Sequence, residues 1–165
     1  TRKPVLLALF TAQAIVLSIV ESWLPIPVGI PGVKLGLANI ITLAVIIFFG
    51  FKEALAVVIV RTVLVSFFTG GPMVFLFSAA GGFLSTAVMA VLYRRMSKIF
   101  SIIGVSIAGA IMHNFGQLLV ASFVMKEVSV LMYLPILMIS GIIMGCFVGL
   151  CTNFLVKALK KTNIF

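Results

Sequence analysis

The stretch Gly29–Ile40, GIPGVKLGLANI, interrupts a chain that is otherwise oily and nearly free of charge. Pro25, Pro27 and Pro31 lead into it, Gly32 and Gly36 flank a lone Lys34, and Asn39 sits inside the apolar run that follows. Proline restricts the backbone and glycine permits sharp bends. The segment therefore reads as a shaped connection that folds back over its surroundings and then feeds a hydrophobic helix. Those surroundings decide the fold. Of 165 residues, 63% are hydrophobic and 9% charged, whereas a soluble domain carries about 25% charge. Apolar runs approaching the roughly 20 residues needed to cross a bilayer recur along the whole chain.

The pattern predicts an all-α integral membrane protein, a six-transmembrane-helix bundle forming a single membrane domain over 1–165, with spans at about 4–23, 35–50, 53–69, 72–94, 100–125 and 129–156. The second and third are near the short end of the usual range. Ala12-Gln13-Ala14 mimics a signal-peptide cleavage site, but it lies inside the first apolar run instead of after it. A first transmembrane helix is the better reading.

Basic residues set the orientation. With a cytoplasmic N-terminus, the inside segments hold Arg2, Lys3, Lys52, Arg94, Arg95, Lys98, Lys157, Lys160 and Lys161, and the outside loops hold only Lys34 and Lys126. That bias predicts both termini inside, N-in/C-in, in a multi-pass protein of the cell membrane. The net charge of +9 follows from this bias, with some attraction to anionic lipid, so nucleic acid is not an expected partner.

Small residues mark where helices can approach. Gly141, Gly145 and Gly149 form a four-residue ladder, Gly104, Ala108 and Gly109 lie on the preceding span, and Gly81-Gly82 on the one before. Ala8 and Ala12, in ALFTA, make a similar face near the start of the chain. Packing of the bundle accounts for all of these; docking of another membrane protein is the alternative for the Ala8/Ala12 face. Cys146 and Cys151, five apart on one helix, are too distant for a disulfide, and one histidine gives no metal-ligand set. No cofactor is expected.

Ionisable and amide groups at membrane depth are costly and face a partner or a cavity. Arg61 lies nine residues past Lys52, roughly 13 Å in, near the midplane. His113 lies roughly 18 Å in, and Asn114 and Gln117 follow it in the segment HNFGQ. Positions 113 and 117 share a helix face. Lys34, Asn39, Arg61, His113, Asn114 and Gln117 thus fall in the outer half of the bundle as candidate substrate-binding residues. The plainer alternatives are interhelical hydrogen bonds for His113, snorkelling or a carbonyl contact for Arg61, an interfacial position for Trp23 and a solvated one for Glu21. Gly29, Pro31, Gly32 and Lys34 would form a gating loop over the cluster, bordered by the external turn Thr69–Pro72. An anionic or carbonyl-bearing ligand suits Arg61 and Lys34.

PGVKLGLANIITL, together with the overall length and HNFGQ, resembles the membrane family known both as Gx transporter and as heptaprenyl diphosphate synthase component I. That family is similar to the substrate-binding S components of energy-coupling factor (ECF) transporters. The resemblance implies a six-helix, N-in/C-in fold with a pocket near the outer face under the first loop. It also implies import of a small vitamin- or cofactor-precursor-like molecule. The partners implied are an ECF transmembrane coupling subunit, met through Ala8 and Ala12, and two cytoplasmic ATPase subunits. The chain has no G-x-x-x-x-G-K-[ST] phosphate loop, so ATP hydrolysis would be theirs.

Prenyl diphosphate synthases use aspartate-rich motifs to hold magnesium. This chain contains no Asp, and Glu21, Glu53 and Glu127 are scattered, whereas magnesium sites need carboxylates alongside substrate phosphates. An enzyme is not expected. A flavin, a quinone precursor or an isoprenoid phosphate would each suit the residues. The alternatives are a self-sufficient secondary transporter, for which no internal repeat speaks, and a non-catalytic membrane subunit linked to polyprenyl diphosphate or quinone synthesis.

Overall fold

The computed structural model describes residues 2–24 and 34–162. Among them the chain forms six α-helices, α1 (Arg2–Ser22), α2 (Asn39–Phe48), α3 (Phe51–Thr69), α4 (Gly71–Arg95), α5 (Ile102–Met125) and α6 (Leu134–Lys161), with a 3-10 helix (Val128–Tyr133) before α6. Four stretches are long and apolar enough to cross a bilayer: α1, α4, α5, and the 3-10 helix continued by α6. The protein is therefore membrane-embedded and all-helical among the described residues.

The two short spans expected from the sequence depart from that length. α2 has ten residues, about 15 Å, half of the roughly 30 Å hydrocarbon layer. The expected span 35–50 is only partly helical: Lys34 to Gly36 are irregular and Leu37-Ala38 form a turn. Gly36, at φ 88°, takes a left-handed conformation that only glycine adopts without strain. α3 has 19 residues but carries Lys52, Glu53 and Arg61.

Helix ends follow local chemistry. The Ser101 hydroxyl accepts the Gly104 N–H at 3.2 Å and caps α5. Pro72 and Pro135 occupy the first turns of α4 and α6, where a missing N–H costs no helix bond.

The helices form an arc in the order α1, α3, α4, α5, α6, and α2 touches all five. That central place explains why α2 is buried at Asn39 and throughout Ile41–Ile46; a helix apolar all round belongs inside. The α5–α6 seam uses the glycine ladder as the spacing predicts. A Cβ on Gly145 would lie 2.6 Å from Ile107 Cα, and one on Gly149 2.7 Å from Ile103 Cα, so the two backbones approach as only glycine allows.

One apolar cluster fills the end of the bundle near Arg94, built on Phe10, Ala14, Leu43, Val45, Ala54, Val57, Met89 and Val105. The surface there carries a Lys3–Glu53 ion pair. We call this the basic end and the opposite one, where Lys34 lies, the loop end.

Candidate functional site

Four of the helices, α1, α3, α4 and α5, carry buried stripes that become polar towards the loop end. On α1 the stripe is Phe10, Ala14, Ser18, Glu21, a run at helical spacing. On α3 it ends in Val58, Arg61, Thr62 and Val65. α4 brings Ser78, and α5 brings His113 and Gln117. Gly81 lets α5 come close: a Cβ there would lie 2.9 Å from His113 Nδ1 and 2.8 Å from its carbonyl oxygen. Gly82 does the same for α3, with Val58 at 2.7 Å and Arg61 at 3.3 Å from its missing Cβ.

These stripes converge on a small hollow of about 10 Å³ lined by Ser18, Glu21, Lys34, Gly36, Arg61, Thr62, Val65, Ser78 and His113. That is roughly the space of one water. The irregular stretch before α2 forms one wall, and its backbone is satisfied by side chains from other helices. The Gly36 N–H donates to Glu21 Oε1, and the Lys34 N–H donates to Gln117 Oε1 at 3.2 Å. Buried non-helical backbone survives only where protein partners supply such bonds. Glu21 and Gln117 supply them.

The Gln117 bond fixes more than the loop. With Oε1 accepting from Lys34, the amide Nε2 is the donor in its 3.2 Å contact with His113 Nε2. His113 Nε2 must then offer its lone pair, so the imidazole is neutral with its proton on Nδ1. Nδ1 makes no well-formed hydrogen bond, its polar neighbour being the Gly81 backbone on α4. Lys34 Nζ, Arg61 Nε and Ser78 Oγ are likewise buried and unpartnered. Lys34 and Arg61 make no ion pair with Glu21 among the described residues, yet all three lie within one another's field. Burial draws the Lys34 ammonium below its ordinary range, opposed by the Glu21 carboxylate. A buried polar atom without a partner costs about 1–3 kcal/mol, so four around one hollow are a substantial concentration of unmet demand.

Of the six substrate-binding candidates, Lys34, Arg61 and His113 line the hollow. Gln117 stands behind it as the support of Lys34 and His113. Asn39 lies just outside, near Gly36 and fully buried, with neither side-chain atom hydrogen-bonded. Asn114 points elsewhere. Its Nδ2 donates to the Leu137 carbonyl on α6 at 2.7 Å, because one helical step turns it from the His113 face onto the α6 seam. Gly29, Pro31 and Gly32 of the expected gating loop lie outside the described residues; Lys34 alone of that group is placed. Ala8 and Ala12 are exposed on α1. Glu21, the one site group assigned to solvent, is only 2% exposed. Its position seven residues past Ala14, on the same stripe as Ser18, is the signal that would have found it. Ser78 and Thr62 carried no comparable signal.

The fold and the site together define a membrane-embedded helical protein that encloses a polar, cation-bearing site beside a short helix with irregular backbone ahead of it. The chain belongs to the family described as heptaprenyl diphosphate synthase component I, whose model matches residues 10–155. Comparisons with curated proteins and with solved structures give no match.

Proposed function

We propose that this protein is a substrate-binding membrane subunit of an ECF-type importer, with six crossings, both termini cytoplasmic and the loop end outside, in a bacterial plasma membrane. Its cargo is a small vitamin- or cofactor-precursor-like molecule. The observation that carries this reading is the convergence of Lys34, Arg61, Ser78 and His113, buried and with unpartnered atoms, on one hollow. Packing alone gives no reason to gather unmet donors from four segments.

The apolar cluster at the basic end closes the route inward, so capture would occur from the loop end. Ala8 and Ala12 lie on an exposed apolar face with Val5, Leu9 and Val16. That face suits docking to a transmembrane coupling subunit, with two cytoplasmic ATPase subunits supplying energy. In this reading the chain is not an enzyme.

A second reading is favoured by the family description itself: a non-catalytic membrane component of heptaprenyl diphosphate synthesis. Co-purification separates the two. Coupling and ATPase subunits recovered with the chain, and lost on Ala8→Leu with Ala12→Leu, support the importer; a soluble prenyltransferase recovered instead supports the synthase component. For the site, native mass spectrometry of the gently purified chain should show a retained small molecule. Arg61→Ala and His113→Ala should each weaken its binding by about tenfold or more. Unchanged retention in both folded variants overturns the site.

A further inference from the structure

The site's charge and hydrogen-bond inventory narrows the cargo's chemistry. Counted at their ordinary charges, Lys34 and Arg61 bring two positive and Glu21 one negative, a sum that a proton passed from Lys34 to Glu21 would leave unchanged, while Gln117 holds His113 neutral. Two minus one leaves a single uncompensated positive charge. Glu21 accepts from the Gly36 N–H and meets the Leu37 backbone, so much of its accepting capacity already belongs to the protein's own loop.

The unpartnered atoms on the hollow's lining can all donate: Lys34 Nζ, Arg61 Nε, the Nδ1–H of His113 and the Ser78 hydroxyl; the unpartnered amide of Asn39 lies outside it. Such a set is complementary to oxygen acceptors carrying one negative charge. A dianion or a diphosphate would leave excess negative charge away from water, and an uncompensated buried charge is strongly destabilising. A neutral head would leave the excess positive charge unmet. The hollow as it stands, about 10 Å³, has room for one water, so any head must widen it, and a carboxylate must widen it less than a diphosphate.

Resting on the proposed capture role, we infer that the site reads a monoanionic head of the carboxylate class, held by Lys34, Arg61, Ser78 and His113. The cargo is then an organic monocarboxylate and not an isoprenoid diphosphate, although the family description points to that chemistry.

The test uses the full chain in nanodiscs and three probes with one body and different heads: benzoate, benzyl alcohol and benzyl phosphate, titrated by calorimetry at neutral pH. Benzoate should bind about tenfold or more tighter than either of the others. In Arg61→Gln the benzoate preference over benzyl alcohol should collapse to about twofold. In Glu21→Gln, which adds a positive charge, benzyl phosphate should gain on benzoate by about threefold or more. Tightest binding of benzyl phosphate or benzyl alcohol overturns the carboxylate assignment. So does a retained natural ligand that lacks a carboxylate, and in each of these cases the capture reading stands. If none of the three probes binds and native mass spectrometry recovers no ligand, the capture reading falls with it.

Discussion

At the basic end, Leu43, Val45, Ala54, Met89 and Val105 bury apolar side chains against one another. At the loop end, burial nearly as deep encloses Lys34, Arg61, Ser78 and His113, each with an unpartnered polar atom. α2 belongs to both: its body is the hub of the apolar cluster, and the irregular stretch ahead of it walls the hollow. Burial thus has opposite energetic meaning at the two ends. Apolar contact at one end is complete and contributes stability, whereas polar demand at the other is unmet and detracts from it. A site that must exchange its occupant cannot satisfy all its donors from within, and sites of this kind commonly trade stability for activity.

The contrast breaks most visibly where packing is removed. Leu43→Ala, at a fully buried position, should lower unfolding stability by about 3 kcal/mol in a denaturant titration of the purified protein. Its effect on benzoate affinity in the folded fraction should be negligible. Equal losses of stability and affinity would mean that the two ends are one cooperative unit.

Substitution at the loop end should do the reverse. Ser78→Ala removes a buried hydroxyl without a partner, so the protein should gain about 1 kcal/mol in the same titration while benzoate binds more weakly. A loss of stability would show that the hydroxyl is satisfied by a resident water and that the demand at this end is already met.

The smallest effect is the pH response of Lys34. Its ammonium titrates below the ordinary lysine range because of burial, with Glu21 opposing and Arg61 reinforcing the shift. Protonated lysine binds the anion and neutral lysine does not, so benzoate affinity should fall as pH rises through that lowered value. The fall should begin at a less alkaline pH than an exposed lysine would give. In Lys34→Gln the alkaline limb of the affinity profile should flatten; an unchanged limb would assign the titration to another group.

Much of this was legible along the chain. The oily composition and repeated apolar runs require a membrane solvent, because so little charge cannot cover a soluble surface. The Gly141, Gly145, Gly149 spacing defines a seam for α5 and α6 before its partner is known, since four-residue steps of small side chains make one flat helical face. His113 and Gln117 declare their shared face by the same periodicity. Lys34, Arg61 and His113 were picked out as ionisable groups in an oily context, and they share the hollow.

Other features depend on how the helices meet. Asn114 and His113 are neighbours in sequence with the same polar promise, but only the α6 seam turns Asn114 to the Leu137 carbonyl. Glu21 looks like a membrane-edge carboxylate until the chain returns fifteen residues later and presents the Gly36 N–H to it. The late start of α2, at Asn39, is equally a tertiary outcome: the buried irregular backbone before it is tolerable only because Glu21 and Gln117 come from α1 and α5 to bind it. Periodicity along one helix determines which side chains share a face. Which face becomes a seam, a core or a site is decided by the partners across it, and only the three-dimensional arrangement supplies them.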